Sequence, residues 1–335
     1  MEVFCEFPFE RLKIDAEGNA TMCCFQQRRC LGNILETGVD EIWRSALSQE
    51  IRESTLRDQL HSSCAVSHCP YTCAHTRANT QKRRVVLEGY PITLELDLPI
   101  QHCNIGGNNP SEERPACFHC ERSRGFRAQT DRLGDICALL RPYMKNLISM
   151  HIQGVAEPFW RGRIFEILED LEFPTHQDHI RVSTTTNGTV FTDPRIARWL
   201  KIPKSVITFS IDAATPKTYK LLRRLDAYDE VVRRLTKCCQ LKSETQAVHI
   251  HNNINLLNIN EVAGMVEVAA KAGVDVIDFN PTYGVPQICI NRWNVHQFRQ
   301  AEREIVETSE KLGVRTTFTR KMTLDHYKPE CLHLL

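Results

Sequence analysis

Three cysteines, Cys103, Cys117 and Cys120, come shortly after an alternating apolar stretch, Ile92-Thr-Leu-Glu-Leu-Asp-Leu-Pro99. The alternation puts Leu94, Leu96 and Leu98 on one face of a strand, so the thiols belong at its C-terminal end. Thiolates are soft ligands suited to iron–sulfur clusters and to zinc. Three of them leave a tetrahedral shell one ligand short, and a fourth position left open is what a chemically active centre needs. Zinc on the same thiolates is the alternative these residue types allow.

The chain has 335 residues, 42% hydrophobic and 25% charged, enough to bury a substantial core. A formal net charge of +1 offers no field for nucleic acid or an anionic membrane, and argues against both as partners. The short run Lys82-Arg83-Arg84 reads as a solvated face. The start, Met1-Glu-Val-Phe-Cys5, lacks the basic and apolar regions of a secretion signal, and no apolar run reaches membrane-span length. A cytoplasmic location is therefore expected. Fifteen cysteines are the abnormal quantity, and ten of them precede residue 121. In a reducing compartment such spacings point to metal or iron–sulfur ligation rather than disulfides.

The elements that must position this chemistry fall into modules. Residues 1–75 are cysteine-rich, with turns expected at Gly18 and Gly32 and an amphipathic helix over 39–59. Residues 75–84 are polar and linker-like. From residue 92 a strand–loop–helix pattern repeats, with strands expected at 92–98, 148–153, 180–186, 205–212, 247–255 and 274–280. Helices are expected between them, one on a face holding Leu133, Ile136, Leu139, Leu140 and Tyr143, another over 161–171. Thr215-Pro216 reads as an N-cap followed by proline at N1. Asn260 is expected to cap a helix that Gly273 closes. Six such units argue for an α/β fold with parallel strands and outer helices. Periodicity leaves open whether the sheet curls into a partial barrel. The divisions expected are 1–75, a linker at 76–91, a barrel at 92–300, and a C-terminal helix and tail at 301–335.

The segment Leu98-Pro-Ile-Gln-His-Cys103 and the segment Cys117-Phe-His-Cys120 resemble the two ends of the cluster loop of radical S-adenosylmethionine (SAM) enzymes. The gap between the first two cysteines is thirteen residues here, in place of the family's usual three. The insertion contains Gly106-Gly-Asn-Asn-Pro and Arg114-Pro115, turn formers that could bulge outward. Further along, Gln153-Gly154-Val-Ala-Glu157-Pro158 resembles the glycine–glutamate–proline motif that meets the SAM amino group. Thr185-Thr-Asn187-Gly188 resembles the turn after the third barrel strand. Phe209-Ser210-Ile-Asp212-Ala-Ala-Thr-Pro, running to Arg223, resembles the fourth strand and its helix. The resemblance implies a partial (β/α)6 barrel. In it Cys103, Cys117 and Cys120 hold a 4Fe–4S cluster and SAM takes the fourth iron. Gly154, Glu157, Thr185, Asn187, Ser210, Asp212 and Arg223 would contact SAM, with Arg223 facing its carboxylate.

The N-terminal residues resemble the SPASM or twitch module. The motif runs from Cys5-x2-Pro8 through Gly18 and Cys23, then Leu31-Gly-Asn-Ile34, Asp40-Glu-Ile-Trp43-Arg-Ser45 and Ile51-Arg-Glu-Ser54 to Cys64-x4-Cys69-Pro70. The resemblance implies one auxiliary 4Fe–4S cluster on Cys5, Cys23, Cys64 and Cys69, with Cys73 as a competing ligand. Cys24 and Cys30 read as packed or spare thiols. A zinc ribbon is the alternative for this module.

What the family implies as function is reductive cleavage of SAM to a 5′-deoxyadenosyl radical, which removes hydrogen from a substrate carbon. An electron donor such as flavodoxin or ferredoxin is then required. Cys289, after the sixth strand, is the candidate thiol that returns hydrogen, which would make the reaction an epimerisation; a packed apolar cysteine is the other reading. Tyr283, Asn280 and His251 also fall near strand ends. Cys137 is expected in the core. The substrate expected is a sugar, oligosaccharide or other small polar biosynthetic intermediate. A radical SAM dehydrogenase or peptide-modifying enzyme is the alternative, and a zinc- or cluster-bearing interaction protein the rival from another class.

Overall fold

The computed structural model describes residues 5–23, 30–57, 59, 61–64, 89–106, 116–120, 128–282, 287–290 and 294–318. Cys24, Cys69, Cys73, Tyr283, most of the linker and nearly all of the insertion after Gly106 lie outside the described residues. The chain forms two compact units, residues 1–100 with 128–183 and residues 101–127 with 184–335.

In the first unit the strands are β1 (Arg11–Ile14), β2 (Asn19–Thr21), β3 (Gly32–Asn33), β4 (Thr93–Asp97) and β5 (Ser149–Gln153), in the order β5-β4-β1-β2-β3. Alternation puts Leu12, Ile14, Leu94, Leu96, Met150 and Ile152 in the core. The helices Leu133–Leu140 and Arg163–Asp170 bury Ile136, Cys137, Leu140, Ile164, Ile167 and Leu168. The β1–β2 turn is built by Asp15, whose Oδ1 accepts the backbone N–H groups of Glu17 and Asn19 at 2.9 Å each. Gly18 completes it at φ +92°.

That the N-terminal module joins the sheet was not legible in the residue pattern. β1 pairs in parallel with β4, Arg11 beside Thr93 and Lys13 beside Glu95. On their polar face, buried Glu95 receives Lys13 Nζ at 2.7 Å and Arg11 Nη1 at 3.2 Å, and Lys13 also reaches Asp97. Burial works to raise the Glu95 carboxyl, but Lys13, Arg11 and His151 overcome it and hold it below the usual range.

The second unit contains β7 (Ser205–Ser210), β8 (Ala247–Ile254), β9 (Val276–Pro281) and β10 (Thr316–Phe318), hydrogen-bonded in that order and all parallel. β6 (Arg181–Thr186) runs in sequence from the first unit into the second. Phe209, Val248, Ile250, Ile277 and Phe279 bury one face. The register sets Ser210, His251, Asp278 and Thr317 side by side across four strands, a polar row near the C-terminal ends.

The expected strands from 92 onward all form, each shifted or shortened by a residue or two. Thr215 caps the helix Pro216–Arg223, its hydroxyl accepting Thr218 N–H at 3.3 Å. Gly273 closes the helix Val262–Ala272 in the left-handed conformation. Other details differ from expectation. The single helix expected over 39–59 is two helices, Val39–Trp43 and Ala46–Leu56, because Ser45 turns extended and caps the second. Asn260 is not a cap; it sits in a 3₁₀ turn, Ile259–Glu261, that precedes the helix. Arg161 takes φ 55°, so the helix expected from 161 opens at Arg163. Leu139 is exposed, and so is Cys30.

Candidate functional site

In the second unit the cysteine loop is held at one end by a side chain from a strand-end turn and at the other by the C-terminal end of a helix. Asn187, in the turn after β6, uses its Oδ1 to accept Thr189 N–H at 2.9 Å and the Thr189 hydroxyl at 2.6 Å. Its Nδ2 donates to Asn104 Oδ1 at 3.0 Å and approaches Cys103 Sγ at 4.0 Å. The neighbouring Gly188 has φ +76°, and a Cβ there would stand 2.9 Å from Val231 Cγ1. Phe118 N–H donates to Leu222 O at 2.8 Å, tying the Cys117–Cys120 turn to the helix Pro216–Arg223.

That helix ends in Arg223, the most heavily engaged side chain of the site. Nη2 donates to Ser210 O at 2.9 Å and to Ser210 Oγ at 2.8 Å, and it pairs with Asp212. Nη1 meets Cys117 Sγ at 3.9 Å. Asp212 is fully buried; its Oδ1 accepts Asn253 N–H at 2.8 Å and its Oδ2 lies 3.4 Å from His119 Nε2. Burial would raise the Asp212 carboxyl, but Arg223 and then His119 outweigh it and hold it below the usual range. Burial pushes the His119 imidazole down to about 4, so it is neutral at ordinary pH despite the carboxylate beside it.

Ser210, Asp212 and Arg223, expected separately as SAM contacts, are thus one another's partners. Most of the Arg223 fork is already used, and its Nε is buried with no hydrogen-bond partner among the described residues. The same holds for His119 Nδ1. Two orphaned polar atoms, on a side chain touching Cys117 and on the residue before Cys120, suit an anionic group bound at these thiols. His119 was missed in the sequence, although its place inside Cys117-x2-Cys120 marks it.

Along the polar row, Thr317 Oγ1 donates to Asp278 Oδ1 at 2.7 Å, and Asp278 Oδ2 stands 3.2 Å from His251 Nδ1. Asn280 Nδ2 donates to Asp278 Oδ2 at 2.6 Å. Beyond β9, half-buried Cys289 sits between buried Ile288 and Ile290, and burial raises its thiol pKa. Cys137 and Cys238 are fully buried, their thiols pushed up to about 12 by burial.

In the first unit, Gly154 follows β5 at φ +114°. A Cβ on it would lie 2.9 Å from Leu98 O and 3.0 Å from Leu98 N, the backbone that leaves β4. Gly154→Ala is therefore expected to cost roughly 2–4 kcal/mol from strain and overpacking, read by urea unfolding. A loss under about 1 kcal/mol would mean that the close approach relaxes freely. Glu157 is fully buried, and its Oε1 accepts Phe159 N–H at 3.1 Å, shaping the loop. Thr185 is half-buried on β6.

Cys5, Cys23 and Cys64 are half-buried in the first unit. Among the described residues no three His, Cys, Asp or Glu side chains converge as they would round a single ion. Thiolates of a cluster bind different irons and stand farther apart, so both cysteine sets remain compatible with cluster ligation.

The model of the radical SAM superfamily matches residues 101–269, and that of SPASM, an iron–sulfur cluster-binding domain, matches residues 5–70. Among solved structures, Streptococcus suis SuiB bound to the precursor peptide SuiA is 14% identical with a TM-score of 0.51, over 68% of this chain and 48% of SuiB. The structure of anSMEcpe with bound AdoMet and Cp18Cys peptide is 16% identical with a TM-score of 0.51, over 68% of this chain and 63% of that one. These likenesses establish a shared fold. The chain spans about half the length of SuiB. No curated protein matches it.

Proposed function

The chain belongs to the radical SAM superfamily, whose model spans residues 101–269, and on that premise we propose that it removes hydrogen from a C–H bond of a polar substrate and returns hydrogen from Cys289. When bound, a 4Fe–4S cluster and SAM supply reductive cleavage to a 5′-deoxyadenosyl radical, and the SPASM module brings an auxiliary cluster. Cys103, Cys117 and Cys120 would hold the first cluster, and Cys5, Cys23, Cys64 and Cys69 the second. Asn187 and Arg223 fix the loop carrying the first three thiols. The Asp212–Arg223 pair keeps a cation against Cys117. Ser210, His251, Asp278 and Asn280 form the hydrogen-bonding wall for substrate, and their polarity favours a ligand rich in hydroxyl or amide groups.

The observation that carries the outcome is the state of Cys289. A hydrogen-atom donor must be a thiol rather than a thiolate, and burial raises the pKa of this half-buried sulfur beyond β9, favouring the thiol. Its S–H bond breaks as a C–H bond forms on the substrate radical, inverting the centre when the transfer comes from the opposite face. The thiyl left behind takes one electron and one proton, the electron from a low-potential donor of the flavodoxin or ferredoxin class. A small polar metabolite such as a sugar is the substrate proposed. The peptides bound to SuiB and anSMEcpe favour a peptide as the second reading.

The test is turnover in deuterated water with candidate sugars and peptides. Wild type is expected to place one solvent deuterium in the product. Cys289→Ala should still form 5′-deoxyadenosine but lose that label at least tenfold. Undiminished label in the variant would remove Cys289 from the reaction.

A further inference from the structure

Arg52 is the most anomalous charge in the N-terminal module. It lies on the helix Ala46–Leu56 and is fully buried. Nε donates to Pro8 O and Nη2 to Trp43 O, each at 2.8 Å, and the guanidinium stacks 4.4 Å from the Trp43 ring centroid. Nη1 is buried with no hydrogen-bond partner, and no carboxylate pairs with Arg52, among the described residues. Burial, and after it the like charge of Arg44, pushes the guanidinium down to about 10, which still leaves it cationic at neutral pH.

Two carbonyl dipoles and one indole face do not offset the desolvation of a full charge. Such a cation persists in a core when an anion completes the site, and the orphaned Nη1 marks where hydrogen-bonding capacity is unused. The carbonyl that Arg52 holds belongs to Pro8, three residues after Cys5. A cluster on four thiolates carries net negative charge and gains more on reduction, so a buried cation in the same module favours both assembly and reduction.

We propose that Arg52 is the counter-cation of the auxiliary cluster, fixing the backbone beside Cys5 through Pro8 and balancing the cluster's negative charge. The inference rests on the auxiliary cluster that the matching module brings, and it is independent of the fate of the substrate radical. Arg52 is a positioning and charge-balancing residue, not a ligand. A residue that merely clamps two carbonyls would stabilise the chain equally with or without iron. A counter-cation is a burden without the cluster and an asset with it.

The experiment uses the full chain with Cys103, Cys117 and Cys120 all replaced by alanine, so that one cluster remains to be read. Into it go Arg52→Met, which keeps bulk without charge, and Arg52→Lys, which keeps charge. Each is studied by an EPR-monitored redox titration and by urea unfolding of iron-loaded and iron-free protein. Arg52→Met is expected to shift the reduction equilibrium at least tenfold toward the oxidised cluster, about 59 mV for one electron. Arg52→Lys should stay within about threefold of the parent. Iron-free Arg52→Met should be at least as stable as its iron-free parent, while the loaded form loses stability. An unchanged potential would overturn the inference. So would equal destabilisation of both forms, or an iron-free Arg52→Met chain that cannot fold. A parent that binds no iron would remove the auxiliary cluster itself, and the inference with it.

Discussion

Replacing Cys103, Cys117 and Cys120 together by alanine is expected to lower iron from about eight to about four per chain, as two 4Fe–4S clusters require. The same change should reduce 5′-deoxyadenosine formation to background. The two losses should coincide because these thiols are tied to the residues proposed to contact SAM. Cys103 lies against Asn187, and Cys117 against Arg223. The iron left behind reports the N-terminal module, which shares no ligand with the first set. Anaerobic iron and sulfide analysis with single-turnover nucleoside measurement decides the matter. Stoichiometric zinc in both proteins, with little iron, would overturn the cluster assignment. Unchanged iron with lost cleavage would mean that the three thiols bind no cluster.

Breaking the Asp212–Arg223 pair should have the largest effect on stability. Both side chains are buried, and arginine cannot shed its charge, so Asp212→Ala strands a cation in a dry site. The expected cost is about 3–5 kcal/mol by urea unfolding of iron-free protein. Arg223→Met should be costly in the same way, because it leaves a buried carboxylate. The double variant Asp212→Leu with Arg223→Met should recover much of the loss, since two apolar groups replace two charges that burial has stripped of water. Additive single losses would show that the two residues do not act as a pair. The pH dependence has a definite sign. The folded pKa of Asp212 lies below its unfolded value, so its contribution is complete above about pH 4. It is lost only as pH falls further, through the depressed folded value. Asp212→Asn should therefore lower stability evenly across neutral pH and flatten the decline at strong acid.

The sequence made the barrel strands legible because alternation reports one buried face: β8 keeps a strict period-two burial pattern, and β4 alternates apolar and polar residues as Thr-Leu-Glu-Leu-Asp. Thr215-Pro216 marked a helix start because hydroxyl caps and proline at N1 act within one turn of chain. What stayed hidden depended on distance along the sequence. β1, β2 and β3 are 4, 3 and 2 residues long, too short for periodicity to register. The partner of β1 lies beyond an entire module. The identities of Ser210, Asp212 and Arg223 pointed to a polar site, but not that they would satisfy one another first. In the sequence Arg52 is one residue of the segment Ile51-Arg-Glu-Ser54, with nothing local to single it out. Only tertiary packing shows it sealed beneath Trp43 and Pro8.

The pairing of β1 with β4 also has a consequence in time. Lys13 and Glu95 are 82 positions apart, so on the ribosome β1 emerges roughly 4–16 s before its partner at ordinary elongation rates of about 5–20 residues per second. Through that interval β1 is an unpaired edge, open to pairing with the wrong chain. Arg11 and Lys13 stud that edge with positive charge, a common defence of exposed strands. Glu95 arrives later to neutralise them. The same two cations that end as partners of a buried carboxylate can therefore begin as guards of an unfinished sheet.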